Sequence, residues 1–126
     1  MRLHRMKEQD VTNLFNMWNE ALATDDPKAV TELYAPNAFL LPTISNKVRH
    51  NHTEIEDYFE LFLENKPKGV LLEQNIRIFD EIISHSGVCM FTFEDNETVR
   101  ARFSFVYQLL NDEWKIIEHH SSRMPE

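Results

Sequence analysis

Glycine is nearly absent: the 126 residues contain two, Gly69 and Gly87. A phosphate-cradling loop needs several closely spaced glycines, so no G-x-G-x-x-G and no P-loop can be written along this chain. Protein-kinase catalysis is excluded with them, because the glycine-rich loop and the catalytic loop are both missing. Cysteine is scarcer still. Cys89 stands alone, which rules out an internal disulfide and any C-x-x-C pair; its place in the apolar run Val88-Cys89-Met90-Phe91 points to burial as a small hydrophobe in a reducing compartment. There is no H-E-x-x-H. No stretch of about 18 apolar residues exists to cross a membrane. The start, Met1 to Glu8, is basic but lacks the apolar centre of a secretory signal, so a cytoplasmic location is expected. Basic charge is short as well: 13 Lys and Arg face 21 Asp and Glu, a net charge of −8. That balance opposes the phosphate contacts on which nucleic-acid binding depends.

What the chain does have is enough apolar material, 42% of its residues, to bury one core within a single domain spanning 1–126. Val11, Leu14, Phe15, Trp18, Ala21 and Leu22 recur at helical spacing and predict an amphipathic helix from Asp10 to Ala23. Asp26-Pro27 reads as an N-cap with proline at the first helical position, opening a short second helix through Ala29, Val30, Leu33 and Tyr34 that stops before Pro36. Ala38 to Leu41 is a short strand closed by Pro42. Thr53 to Glu56 has capping-box spacing, and Ile55, Tyr58, Phe59, Phe62 and Leu63 carry a third helix to about Asn65. From Val70 the texture changes to strands over Val70 to Phe79, Ser86 to Phe93, Val99 to Leu110 and Glu113 to Ser121, an expected antiparallel meander. The class is α+β.

Strand alternation gives the polar residues a geometry. In the last strand it sets Trp114, Ile116, Glu118 and His120 on one side and Lys115, Ile117, His119 and Ser121 on the other, so the two histidines diverge and cannot share a metal ion. His50 and His52 could converge, but no spaced Cys, Asp or Glu completes a ligand set; no metal is expected. In the preceding strand Arg100, Arg102, Ser104 and Val106 oppose Ala101, Phe103, Phe105 and Tyr107, the aromatic side being core or subunit contact. Arg102, a cation amid apolar residues, calls for an anion: an ion pair with Glu73, Glu94 or Glu118, or an acidic ligand in a cavity. His119 and His120 can serve as general acid or base, with Tyr58, Tyr107, Asp57 and Glu118 as possible partners. Trp18 is a core anchor that can also touch a ligand, and Asn46 and Arg49 precede the third helix.

The closing run Trp114-Lys115-Ile116-Ile117-Glu118-His119-His120-Ser121-Ser122, leading into Arg123-Met124-Pro125, is taken with Ala38 to Arg49. Together they resemble the association (hub) domain of calcium/calmodulin-dependent protein kinase II and its free-standing bacterial relatives. These fall in the nuclear transport factor 2-like, SnoaL-like superfamily. The hub domain is matched at Trp114, Ile116, Ile117, His120, Ser122 and Pro125, the bacterial relatives over Arg100 to Tyr107 and His119 to Ser122. Ser121 and Phe105 stand where the hub carries arginines. The resemblance implies a cone of three N-terminal helices packed on a strongly curved antiparallel sheet, and a homo-oligomer, either a dimer or a larger ring. It also implies a polar pocket for an acidic or carbonyl-bearing small molecule, with no cofactor. Its ligand-binding candidates are Arg102, Trp18, Asn46, Arg49, Tyr58, Tyr107 and Ser121. His119 is the pocket candidate, and His120 is its structural partner near the first helix. The alternative implied is a cofactor-independent isomerase or dehydratase using a histidine with Arg102 as electrostatic anchor; an oxidoreductase is more remote.

Overall fold

A computed structural model describes residues 5–126; residues 1–4, half of the basic start Met1 to Glu8, lie outside it. Helix α1 (Glu8–Leu22) buries Val11, Phe15, Trp18 and Leu22, the stripe that helical spacing picks out. Asp26 caps α2 (Pro27–Thr31) by accepting from the Lys28 amide, and proline takes the first turn. The second helix is shorter than its apolar residues suggest: Tyr34 already belongs to β1 (Tyr34–Leu41). Pro36 works against a longer helix: it pushes Ala35 out of helical conformation and has no N–H to bond the Glu32 carbonyl. Helix α3 (His52–Phe62) is capped by Asn51, two residues ahead of the Thr53 cap expected from sequence. Asn51 accepts from the Glu54 amide, while Glu54 accepts from the His50 amide. The chain then tightens into a 3₁₀ turn (Leu63–Asn65) and leaves through Lys66 in a left-handed conformation.

Strands β2 (Lys68–Ile78), β3 (Ile82–Thr92), β4 (Thr98–Leu110) and β5 (Glu113–Arg123) form the antiparallel meander. The sheet order is β1-β5-β4-β3-β2, and β1 runs parallel to β5. A fully antiparallel sheet is therefore corrected to a mixed one: the chain passes through α3 and three strands before β5 returns beside β1, and a crossover of that kind delivers a parallel neighbour. Pro36 is tolerated because β1 is an edge.

Two irregularities bend the sheet. In β2 the register with β3 slips between Leu71 and Glu73. Gly87 sits opposite, where a Cβ would come 1.9 Å from the Glu73 carbonyl oxygen; only glycine allows this approach. In β5 the register with β4 slips between the partners of Val106 and Tyr107, Glu118 and Ile116. The extra residue, Ile117, breaks the alternation. Ile116 and His119 are consequently both buried, while Glu118 and His120 are exposed. The face assignment of Ile116 with His120 is thus corrected by a bulge. Beyond the bulge the pleat resumes, and His119 points inward.

Helices cover the inner face. Phe103, Phe105 and Tyr107 lie there, buried, with Phe15 and Trp18 packed edge-on or tilted against Phe105 and its neighbours. The aromatic side of β4 is core, not a subunit contact. Asn19 ties α1 to β2 by a pair of hydrogen bonds with Gly69, its amide donating to the Gly69 carbonyl at 2.8 Å and its carbonyl accepting from the Gly69 amide at 2.9 Å.

Candidate functional site

Between the helices and the bent sheet lies a cavity of about 580 Å³. Its walls are aromatic: Trp18 from α1, Tyr58, Phe59 and Phe62 from α3, Phe91 from β3 and Phe93 just past its end. The chain past β1 contributes Pro42, Thr43 and Ile44, and β5 contributes His119, Ser121 and Arg123. Size and apolar lining suit a small-molecule site.

Its polar centre is a chain of three residues. The indole Nε1–H of Trp18 donates to the Tyr34 hydroxyl at 3.1 Å, and that hydroxyl lies 2.8 Å from Nδ1 of His119. Tyr34 makes no other side-chain bond among the described residues, so one proton assignment satisfies all three groups. Trp18 donates to the Tyr34 oxygen, Tyr34 donates to Nδ1, and His119 carries its proton on Nε2. The imidazole stacks on Phe105 at 4.0 Å between ring centroids and meets Trp18 edge-on. It is 4% exposed. Burial, with the neighbouring His120 adding repulsion, pulls its pKa down to about 3; the same burial raises Tyr34 well above an ordinary phenol. Both groups are neutral across the physiological range. The site offers a fixed Nε2–H donor rather than a base.

Of the residues expected from sequence, the cavity collects Trp18, Tyr58, His119 and Ser121. Ser121 accepts from the Thr43 hydroxyl at 2.7 Å, tying the loop past β1 to the end of β5. The others lie elsewhere. Arg102 is exposed on the outer face of the sheet, opposite Val88 and Ser122; alternation from the buried Ala101 and Phe103 turns it away from the cavity, so its place inside the cone is corrected. It makes no ion pair among the described residues, and the expected pairing with Glu73, Glu94 or Glu118 is not formed. His120 is likewise exposed on the outer face, opposite Ser104, and not beside the first helix. Tyr107 is buried behind Phe105 and is absent from the cavity wall. Asn46 is exposed on its loop. Arg49 is buried, donates to Ser45 Oγ and the Lys47 carbonyl, and sits 5.4 Å from the Tyr58 ring centre. It braces that loop and backs a wall residue, without reaching the cavity. Asp57 and Glu118 are exposed. His50 turns to Glu54 and His52 to the Tyr34 carbonyl.

Sequence reasoning missed Tyr34, which helical periodicity absorbed as an apolar position. The signal was Pro36: an extended Tyr34-Ala35 step places the phenol on a strand that can reach β5. The cavity mouth was missed too. It carries Glu64, Glu94, Asp95 and Glu97 against one cation, Arg123, all exposed.

The model of the calcium/calmodulin dependent protein kinase II association domain family matches residues 7–125. A Xanthomonas campestris structure, solved as a candidate association domain of that kind, is 45% identical. It superposes with a TM-score of 0.92, covering 97% of this chain and 91% of the other. Fold likeness extends further. An NTF2-like protein of Pseudomonas putida gives a TM-score of 0.81 at 15% identity over 91% of this chain and 84% of that one. A candidate ketosteroid isomerase of Parabacteroides distasonis gives 0.79 at 17% over 98% and 92%. No curated protein matches this chain.

Proposed function

Because the chain belongs to the calcium/calmodulin dependent protein kinase II association domain family, we propose that it is a self-associating module whose cavity binds a small, mainly apolar molecule through one hydrogen-bond acceptor. The observation that carries this reading is the His119 imidazole, locked by Tyr34 and Trp18 so that Nε2–H is the donor left for a guest. A carbonyl oxygen fits that donor. An acidic guest has less support, because carboxylates outnumber the single Arg123 at the mouth.

Proton abstraction, as an isomerase or dehydratase would need, is poorly served. A base whose conjugate acid forms only near pH 3 is free near neutrality but too weak to draw a proton from carbon effectively, and the carboxylates of the wall sit at its rim. The binding test is a titration with acetophenone, an apolar body with one carbonyl, followed at the Trp18 indole N–H resonance. Saturable shifts are expected in the wild type and lost in His119→Phe, which keeps the stack on Phe105 but removes the donor. Equal shifts in both proteins would remove His119 from the proposal.

A further inference from the structure

We infer that the guest of this cavity is an organic cation, an amine or quaternary ammonium whose charged end stays at the mouth while its apolar body enters; this rests on the reading of the cavity as a ligand site. Two independent features converge. The first is the charge of the rim. Glu94, Asp95 and Glu97 come from the β3–β4 turn and Glu64 from the 3₁₀ turn that follows α3. These two segments are joined: the Glu94 amide donates to the Asn65 carbonyl at 2.9 Å, and within the turn the Glu97 amide donates to Asp95 Oδ1 at 2.9 Å. The carboxylates are therefore carried on a braced backbone around one opening. None forms an ion pair among the described residues. Arg123 is the one cation of the lining; Lys66 nearby is bonded to Asp25 at 2.6 Å and also attracts Glu94, which leaves the rim with a net negative charge.

The second feature is what lies immediately below. Phe93 precedes Glu94 and Phe62 stands two residues before Glu64; their rings meet at 6.3 Å, nearly perpendicular, with Phe91 edge-on to Phe62. Aromatic faces attract a desolvating ammonium, more so where carboxylates focus the field at the entrance. An anion would meet that field with the opposite sign. At the far end the Nε2–H of His119 remains available to an acceptor on the same molecule.

The experiment compares three guests sharing one body: phenylpropylamine, phenylpropanol and phenylpropionate, titrated into the full chain and followed at the Trp18 indole N–H. The amine is expected to bind about tenfold tighter than the alcohol and the carboxylate most weakly, with the preference shrinking at high salt. In the doubly substituted Glu94→Gln, Glu97→Gln protein, whose changes are isosteric and exposed, the amine should lose most of its advantage while the alcohol is unaffected. Phenylpropionate binding as well as the amine, or an unchanged preference in the variant, overturns the charge inference and leaves the cavity reading standing. If none of the three binds while acetophenone does, the charge inference falls and the cavity reading stands; if acetophenone fails as well, both fall together.

Discussion

At the scale of the residue, Tyr34 is the most consequential side chain behind the cavity wall, since it does not line the cavity itself. Removing its hydroxyl strands two buried partners at once, the Trp18 indole N–H and His119 Nδ1. An unpaired buried polar group costs about 1–3 kcal/mol, so Tyr34→Phe should lower stability by at least that range in urea unfolding, and should free the imidazole to rotate. His119 gives a second prediction, in pH. The unfolded chain protonates an imidazole near about 6.5, the folded one only near 3. Between those values the unfolded state binds more protons, so stability falls as pH falls through that window, at up to roughly 1.4 kcal/mol per unit. His85, buried and held down to about 4, adds a slope of the same sign. Urea midpoints at pH 7 and pH 5 should differ less in His119→Gln than in the wild type; an equal loss in both would show that the acid sensitivity lies elsewhere. Strand alternation made the divergence of the two histidines legible in the sequence. Which one is inside was not, because that depends on where Ile117 bulges.

At the scale of the element, the helices and the four-strand meander could be read from periodicity, since each buries one stripe or one face and spends its other side on solvent. The places where reading failed are places where the backbone departs from a regular period. The bulge in β5 has no local composition signal; it is set by how β5 fits between β1 and β4. The parallel pairing of β1 with β5 joins residues such as Leu40 and His119 that lie far apart along the chain, and no local pattern encodes a partner at that distance. Gly87 is the counterexample, a residue whose identity does encode the bend. Its Cα faces the bulged β2 backbone so closely that a methyl group would overlap the Glu73 carbonyl. Gly87→Ala must therefore push β2 away from β3 or flatten the bulge. A loss of about 1–3 kcal/mol is expected, as for other forced insertions into a packed site, read as a fall in thermal midpoint. Serine there should be no better; a neutral alanine variant would mean that β2 moves freely at this point.

At the scale of the whole molecule, the sheet has a second face that the helices leave uncovered. Register puts Phe39, Glu118, Val106 and Ser84 in one row across it, Leu41, His120, Ser104 and Ser86 in the next, and Ser122, Arg102 and Val88 in a third, with Arg100, Met90 and Val70 beyond. Phe39 is 47% and Val70 51% exposed, and neither Arg100, Arg102 nor Glu118 finds an ion pair among the described residues. Phe39, Leu41, Val70, Val88, Met90 and Val106 stand on this face among serines, two arginines, His120 and Glu118, and the exposed apolar and arginine side chains are those a subunit contact would use. In a self-complementary two-fold contact on this face the charge of Arg102 would meet that of Glu118, which lies on the same surface with the opposite sign. The family name points to association, and we propose this face for it. Light scattering at micromolar concentration should therefore report a dimer or larger ring. Met90→Glu, a charge placed between Arg100 and Val70 in the last of these rows, should shift the population toward monomer while leaving the far-ultraviolet circular dichroism and the Trp18 indole resonance in place. Arg102→Glu should weaken association more steeply at low salt than at high salt, since an exposed charge acts through a screened field until it is buried against its partner. A wild type that stays monomeric, or a Met90→Glu protein that assembles as before, would put the contact on another surface and return Arg102 to the status of a solvated cation.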